Sequence, residues 1–122
     1  MSKNKLMIID DDLSFSQMVA DYFKSQGYEV STADTMDQAI QLYRRVRAKV
    51  VLLDFKMPLV TGERLLPLLQ ELNPEVRAIV VTGCIGEEVE EKFKGLGYFG
   101  YFEKGGLSLE VLKEKVEEAL LY

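Results

Sequence analysis

The stretch Val50-Val51-Leu52-Leu53-Asp54-Phe55-Lys56-Met57-Pro58 decides the fold of this 122-residue chain. Its four opening apolar residues, two of them β-branched, are too few for a helix and read as a strand buried on both faces. The run ends at a carboxylate, and Pro58, four residues on, forbids regular continuation. An aspartate closing a buried central strand is poorly placed for packing. It is well placed for the crevice at the carboxyl edge of an open α/β sheet, where such sheets bind ligands.

The same grammar recurs on both sides. Toward the N-terminus, Leu6-Met7-Ile8-Ile9 is a second short apolar run, followed by Asp10, Asp11 and Asp12. Phe15, Met18, Val19, Tyr22 and Phe23 then fall on one helical face, with Asp12 as N-cap and Gly27 as stop. Residues 28–32 form a short strand candidate. Asp34 or Thr35 caps a second helix through Met36, Ala39, Ile40, Tyr43 and Val46. It ends in the basic run 44–49, cations that suit a helix C-terminus.

Toward the C-terminus, Leu59-Val60-Thr61-Gly62 reads as a loop leading into a strongly apolar helix over 63–72. Pro67 inside that helix places its regular start only a turn earlier. Asn73-Pro74 breaks the chain. Ala78-Ile79-Val80-Val81 is a fourth buried strand and ends in Thr82-Gly83. An acidic helix over 87–96 follows, with Val89, Phe93 and Leu96 inward and Gly97 as its stop. Residues 98–102 are aromatic and β-prone, and lead into Glu103-Lys104-Gly105-Gly106. Ser108 caps a last helix lined by Leu109, Leu112, Val116, Ala119 and Leu120. Five β-α repeats with short connections imply one domain over 1–122. It would be a doubly wound α/β fold, a five-stranded parallel sheet covered by helices on both faces.

Composition narrows the function. Hydrophobic content of 48% and charge of 29% are those of an ordered globular domain. A net charge of −5 argues against a nucleic-acid surface. The basic run 44–49 reads as a solvated helix end. Cys84 is the one cysteine and histidine is absent, which removes disulfide frameworks, thiolate or histidine metal sites and His-based triads. No apolar run has the length of a signal peptide or a membrane span, so a cytoplasmic location is expected.

In a parallel sheet all carboxyl ends share one edge. Asp10 and Asp11, then Asp54, Thr82 and Lys104 each follow a strand there, while strand two contributes nothing obviously chemical. Clustered carboxylates repel unless a cation sits among them. Oxygen donors alone favour a hard ion such as magnesium. A threonine hydroxyl and a lysine ammonium opposite suit a phosphoryl oxygen, and an aspartate can accept a phosphoryl group as nucleophile. Taken singly, each residue has a plain reading: Asp10 to Asp12 as a helix cap, Asp54 as a turn former, Thr82 as a backbone-bonded hydroxyl, Lys104 as a surface lysine. Those readings do not explain why each residue closes an apolar strand.

With IIDDD at the first strand, LLDFKMPLVTG around Asp54, VVTG at Thr82 and GYFEK at Lys104, the chain resembles the receiver domain of two-component response regulators over essentially its whole length. The resemblance implies the flavodoxin-like (βα)5 fold with strand order 2-1-3-4-5. It implies that Asp54 is the phosphoacceptor, taking its group from a sensor histidine kinase or histidine phosphotransfer protein in a Mg2+-dependent reaction. Asp10 and Asp11 would hold the Mg2+, Asp11 and Asp54 directly, with the backbone carbonyl of Lys56 as a further ligand. Thr82 would hydrogen-bond the phosphoryl group and Lys104 would ion-pair with it. Tyr101 matches the switch aromatic that turns inward as Thr82 moves. The face made by the fourth helix, fifth strand and fifth helix would then bind an effector or the protein's own output domain, or form a homodimer. Such a switch is no enzyme beyond its own phosphoryl transfer and slow dephosphorylation, and it contacts neither nucleic acid nor membrane.

Four features qualify the pattern. Gly105 replaces the proline usual after the lysine, leaving open the cis peptide typical there and loosening the loop with Gly106. Gly83 is small, as the family favours. Lys56 and Cys84 stand where the family tunes phosphate lifetime. Tyr98, Phe99, Tyr101 and Phe102 make the last strand unusually aromatic, and any exposed part would mark a partner surface. The DFKMP wording fits a receiver belonging to a longer transcription activator or hybrid kinase, against a stand-alone protein. An aspartate-nucleophile phosphohydrolase of the haloacid dehalogenase type would want an acid where Lys56 stands. A flavodoxin-like cofactor binder would want a hydroxyl-rich loop where three aspartates stand. A receiver that is never phosphorylated is opposed by the complete acceptor set.

Overall fold

Five strands form one parallel sheet, and the inner three, built on the apolar runs 6–9, 50–53 and 78–81, bury side chains on two faces at once. In the computed structural model, which describes residues 4–57, 60–83 and 91–121, the five are β1 (Lys5–Ile9), β2 (Glu29–Ala33), β3 (Val50–Leu53), β4 (Arg77–Thr82) and β5 (Gly100–Glu103). They pair in the order β2-β1-β3-β4-β5, all parallel, as expected for the doubly wound α/β fold. Helices α1 (Leu13–Ser25), α2 (Met36–Val46) and α3 (Gly62–Leu72) connect them. The described part of α4 is 91–93, and α5 (Leu109–Leu120) closes the chain.

Alternation along the strands sorts the core into two layers. Met7, Ile9, Val51, Leu53, Ala78 and Val80 face α2, α3 and Phe93. Leu6, Ile8, Val50, Leu52, Ile79 and Val81 face α1 and α5. Local chemistry sets the helix ends: Asp12, Thr35 and Ser108 each accept a hydrogen bond from a first-turn amide. Gly27 follows α1 with φ +90°. On the α2/α3 side, the buried Tyr43 hydroxyl donates to Ala48 O at 2.6 Å and accepts from Asn73 Nδ2 at 3.1 Å. Burial pushes its pKa up, with the Asn73 bond opposing the shift.

Several boundaries differ from the sequence reading. Strand β2 starts and ends one residue later than 28–32. Strand β5 begins only at Gly100, although the Phe99 amide already donates to Ala78 O on β4 at 2.7 Å. The helix expected over 87–96 leaves helical geometry after Phe93, and Gly95 at φ +80° turns the chain before Gly97 does. Its first half, Val89, Cys84 and Pro58 lie outside the described residues. Of the loop expected over 59–62, the described residues form regular structure: Val60–Thr61 pairs antiparallel with Lys56–Met57, and Gly62 already opens α3. Pro67 lies inside that helix, as its sequence implies, with the helix opening one residue before 63.

Gly62 is a packing requirement. Its amide donates to Phe55 O at 2.7 Å. A Cβ there would run into the backbone carbonyl oxygen of Asp54 and meet Phe93 Cζ at 3.2 Å. The start of α3 is thus pressed against the backbone at the end of the central strand. Gly62→Ala is expected to cost about 1–3 kcal/mol, read as a lower urea midpoint with unchanged slope.

Candidate functional site

Ladder hydrogen bonds deliver the strand-end residues to one place. Asp10 N donates to Ala33 O at 3.0 Å, Asp54 N to Ile9 O at 2.9 Å and Lys104 N to Thr82 O at 2.8 Å. Asp10, Asp54 and Thr82 follow or end β1, β3 and β4, and all three are at least 95% buried, with exposures of 2%, 5% and 1%. Asp11 is exposed at the rim.

Carboxylate oxygens of Asp10, Asp11 and Asp54 all lie within 4.8 Å of one another. The cation facing them is Lys104, whose Nζ is 2.7 Å from Asp10 Oδ2 and 3.9 Å from Asp54 Oδ2. Asp10 Oδ1 also accepts the Asp12 amide at 2.9 Å. Among the described residues, three carboxylates against one ammonium leave excess negative charge in a poorly solvated crevice. Asp54 carries the consequence: burial first, then the charge of Asp10, push its pKa up to about 8, against the pull of Lys104. A hydrogen bond to Asp10 and the charge of Asp11 add to the rise.

Such a site suits a hard divalent ion. Its donors are all oxygens, they converge, and a cation among them would relieve the burial of the Asp54 carboxylate. Thr82 ends the strand next to β3, on the edge where Asp54 lies. Tyr101 on β5 pairs in register with Val80 and packs, half-buried, on the α2/α3 side of the core. The other last-strand aromatics are half-buried too. Tyr98 joins the α2/α3 side, whereas Phe99 and Phe102 pack on the α1/α5 side. The peptide after Lys104 is trans, as are all those described.

Asp10, Asp11, Asp54, Thr82 and Lys104 are therefore brought to one edge, and the backbone of Lys56 follows Asp54 by two residues. The sequence reading did not single out Phe15 or Gly62. Phe15 presents its ring to Lys104, with Nζ 4.6 Å from the ring centroid. It was legible only as one more apolar position on a helix face. Gly62 looked like a loop residue, and nothing in the sequence announces its approach to Asp54.

A model of the response regulator receiver domain family matches residues 6–117. The chain belongs to that family. Its members are signalling switches of two-component systems, act with histidine kinases and effector domains, and typically use magnesium. A response regulator receiver protein of Anaeromyxobacter sp. is 28% identical over 82% of this chain and 42% of its own length. Sporulation initiation phosphotransferase F of Bacillus subtilis is 25% identical over 98% of this chain and 96% of its own. This receiver thus spans less than half of the first relative and nearly all of the second. Among solved structures, a receiver domain protein of Methanospirillum hungatei superposes with a TM-score of 0.90 at 28% identity, covering 98% of this chain and 94% of that one.

The raised pKa of Asp54 fixes the direction of a pH effect. A carboxyl that holds its proton more tightly folded than unfolded makes the folded state the richer in protons between its two pKa values. In metal-free receiver, stability should therefore fall as pH rises from about 4 toward about 8. Asp54→Asn is expected to remove that slope and to stabilise the metal-free protein at pH 8 by about 1–2 kcal/mol, roughly 5–10 °C in Tm. Thermal melts across pH with chelator present check it; a variant less stable than wild type at pH 8 would contradict the electrostatic account.

Proposed function

We propose that this receiver is a phosphoryl-accepting switch in which Asp54 takes a phosphoryl group from a partner phosphohistidine. One observation carries the reading. A buried aspartate at the end of the central strand lies among two further carboxylates and faces a lysine, at the shared edge of the sheet. Asp10, Asp11 and Asp54 would hold Mg2+, with the Lys56 backbone carbonyl as a further ligand. When bound, the ion would neutralise the carboxylates and the transferring phosphoryl oxygens.

This chain's residues then divide the work. Asp54 Oδ attacks phosphorus as the P–N bond breaks, its electron pair returning to the imidazole nitrogen, and an aspartyl phosphate remains. The Thr82 hydroxyl donates to a phosphoryl oxygen. Lys104 shifts from Asp10 to pair with another, a movement its flexible stem permits. As Thr82 is drawn toward the phosphate, Tyr101 turns inward and repacks the face of α4, β5 and α5. That is a two-state element biased by local charge. The repacked face would bind an effector, the protein's own output domain or a second copy of the chain. The donor would be a sensor histidine kinase or a histidine phosphotransfer protein. Residues 1–122 form a single receiver domain, stand-alone or part of a longer regulator, acting in the cytoplasm without nucleic-acid or membrane contact of its own.

Intact mass spectrometry after incubation with a small acyl-phosphate donor tests the reading. Wild type should gain one phosphoryl group with magnesium and none with chelator, and Asp54→Asn should gain none. Equal modification of Asp54→Asn would overturn the assignment. Sustained rapid release of inorganic phosphate would point to a hydrolase instead. Lys104→Ala should retain some phosphorylation yet lose the phosphorylation-dependent change at Tyr101, followed through NMR of the tyrosine ring. An unaltered response at Tyr101 would remove Lys104 from the switch.

A further inference from the structure

We infer that Phe15 is a positioning residue that holds Lys104 against Asp10, and so sets how strongly Lys104 competes with a divalent ion for the carboxylate cluster. The inference rests on the reading that Asp10, Asp11 and Asp54 hold magnesium.

Lys104 follows β5 on a strand-end loop that continues through exposed Gly105 and Gly106, the latter at φ +74°. Nothing in that loop's composition fixes a four-carbon side chain. Its ammonium is nevertheless held at two points, by Asp10 Oδ2 at 2.7 Å and by the Phe15 ring at 4.6 Å from the centroid. An ammonium over an aromatic face is attracted by the ring quadrupole, more strongly as water is excluded. The Lys104 side chain is 18% exposed and that of Asp10 3%, so this contact is well sheltered.

The ring cannot drift from Asp10. Asp10 Oδ1 accepts the Asp12 amide at 2.9 Å, and Asp12 Oδ1 accepts the Phe15 amide at 3.0 Å. Two consecutive hydrogen bonds thus tie the first turn of α1, and the aromatic ring it carries, to the carboxylate that Lys104 engages. Phe15 also packs against the α1/α5 core layer, which restrains its rotamer. The result is a fixed wall on α1 facing a mobile cation.

The consequence is antagonism. In this arrangement the lysine lies nearer to Asp10 than to Asp54, 2.7 against 3.9 Å. It occupies one oxygen of a carboxylate that the metal needs and supplies part of the positive charge the cluster lacks. A divalent ion entering the cluster has to loosen that pair, and Phe15 stabilises the pair.

Replacing the ring by an aliphatic side chain should therefore tighten magnesium binding. Phe15→Leu is expected to lower the Mg2+ dissociation constant about two- to fivefold, the equilibrium equivalent of a cation–π contact of this kind. Phe15→Tyr, which keeps the aromatic face, should stay near wild type. In a Lys104→Ala background the Phe15→Leu change should have no further effect, because the cation it positions is gone. Calorimetric Mg2+ titrations of the four combinations measure this. An unchanged or weaker affinity in Phe15→Leu, or an effect of equal size with and without Lys104, would overturn the proposal. A second readout needs no metal: the Lys104 Hε protons should show an upfield ring-current shift in wild type and Phe15→Tyr that Phe15→Leu abolishes. No such shift in wild type would also overturn it. Failure of the wild type to bind magnesium at all would overturn the reading of a magnesium site and the competition with it, and the ring-current shift would then decide separately whether Phe15 positions Lys104.

Discussion

A carboxylate placed where solvent cannot reach it, beside two others, is the constraint on which this site depends. Asp54 is delivered there by the register of the central strand, and no side-chain choice nearby relieves its burial completely. Lys104 supplies one positive charge and divides it unequally, closer to Asp10 than to Asp54. The cluster is therefore short of positive charge and responsive to anything that supplies it. A bound ion or an added phosphoryl group would draw on that deficit, since each would change how many charges the crevice must accommodate.

The scaffold makes such a strained cluster tolerable. Two apolar layers clamp a five-stranded sheet, so the edge residues are held by backbone bonds that do not depend on their charge state. Gly62 brings the start of α3 into contact with the Asp54 carbonyl, and Asp12 bonds the start of α1 back to Asp10. The start of α1, with the positive end of its helix dipole, thus abuts the acidic cluster, while α3 starts against the Asp54 backbone. Lys104 and the half-buried Tyr101 lie apart in sequence from those helix starts, on β5 or the loop that follows it.

Much of this was legible in the residues. The strand-end positions of Asp10, Asp54, Thr82 and Lys104 follow from short apolar runs punctuated by polar residues, and parallel pairing alone brings them to one edge. Caps at Asp12, Thr35 and Ser108 are local chemistry and were readable for that reason. Harder to see were features set by contacts between distant segments. Val60–Thr61 read as a loop, but the pair forms a short antiparallel ribbon with Lys56–Met57. Tyr98 and Phe99 have strand propensity, yet the strand register against β4 opens at Gly100, with the Phe99 amide bonded just ahead of it to Ala78 O.

By itself, then, the sequence determined the order and type of the elements, the parallel sheet and the identity of the edge residues, because periodicity and punctuation are local properties. Tertiary structure decided which charges pair and which are left short. The preference of Lys104 for Asp10, the ring of Phe15 against that ammonium, the raised pKa of Asp54 and the exclusion of any side chain at Gly62 all arise from distances between segments far apart in the chain. Electrostatic energy depends on separation and burial rather than on sequence neighbours, so none of it is written in the order of the residues.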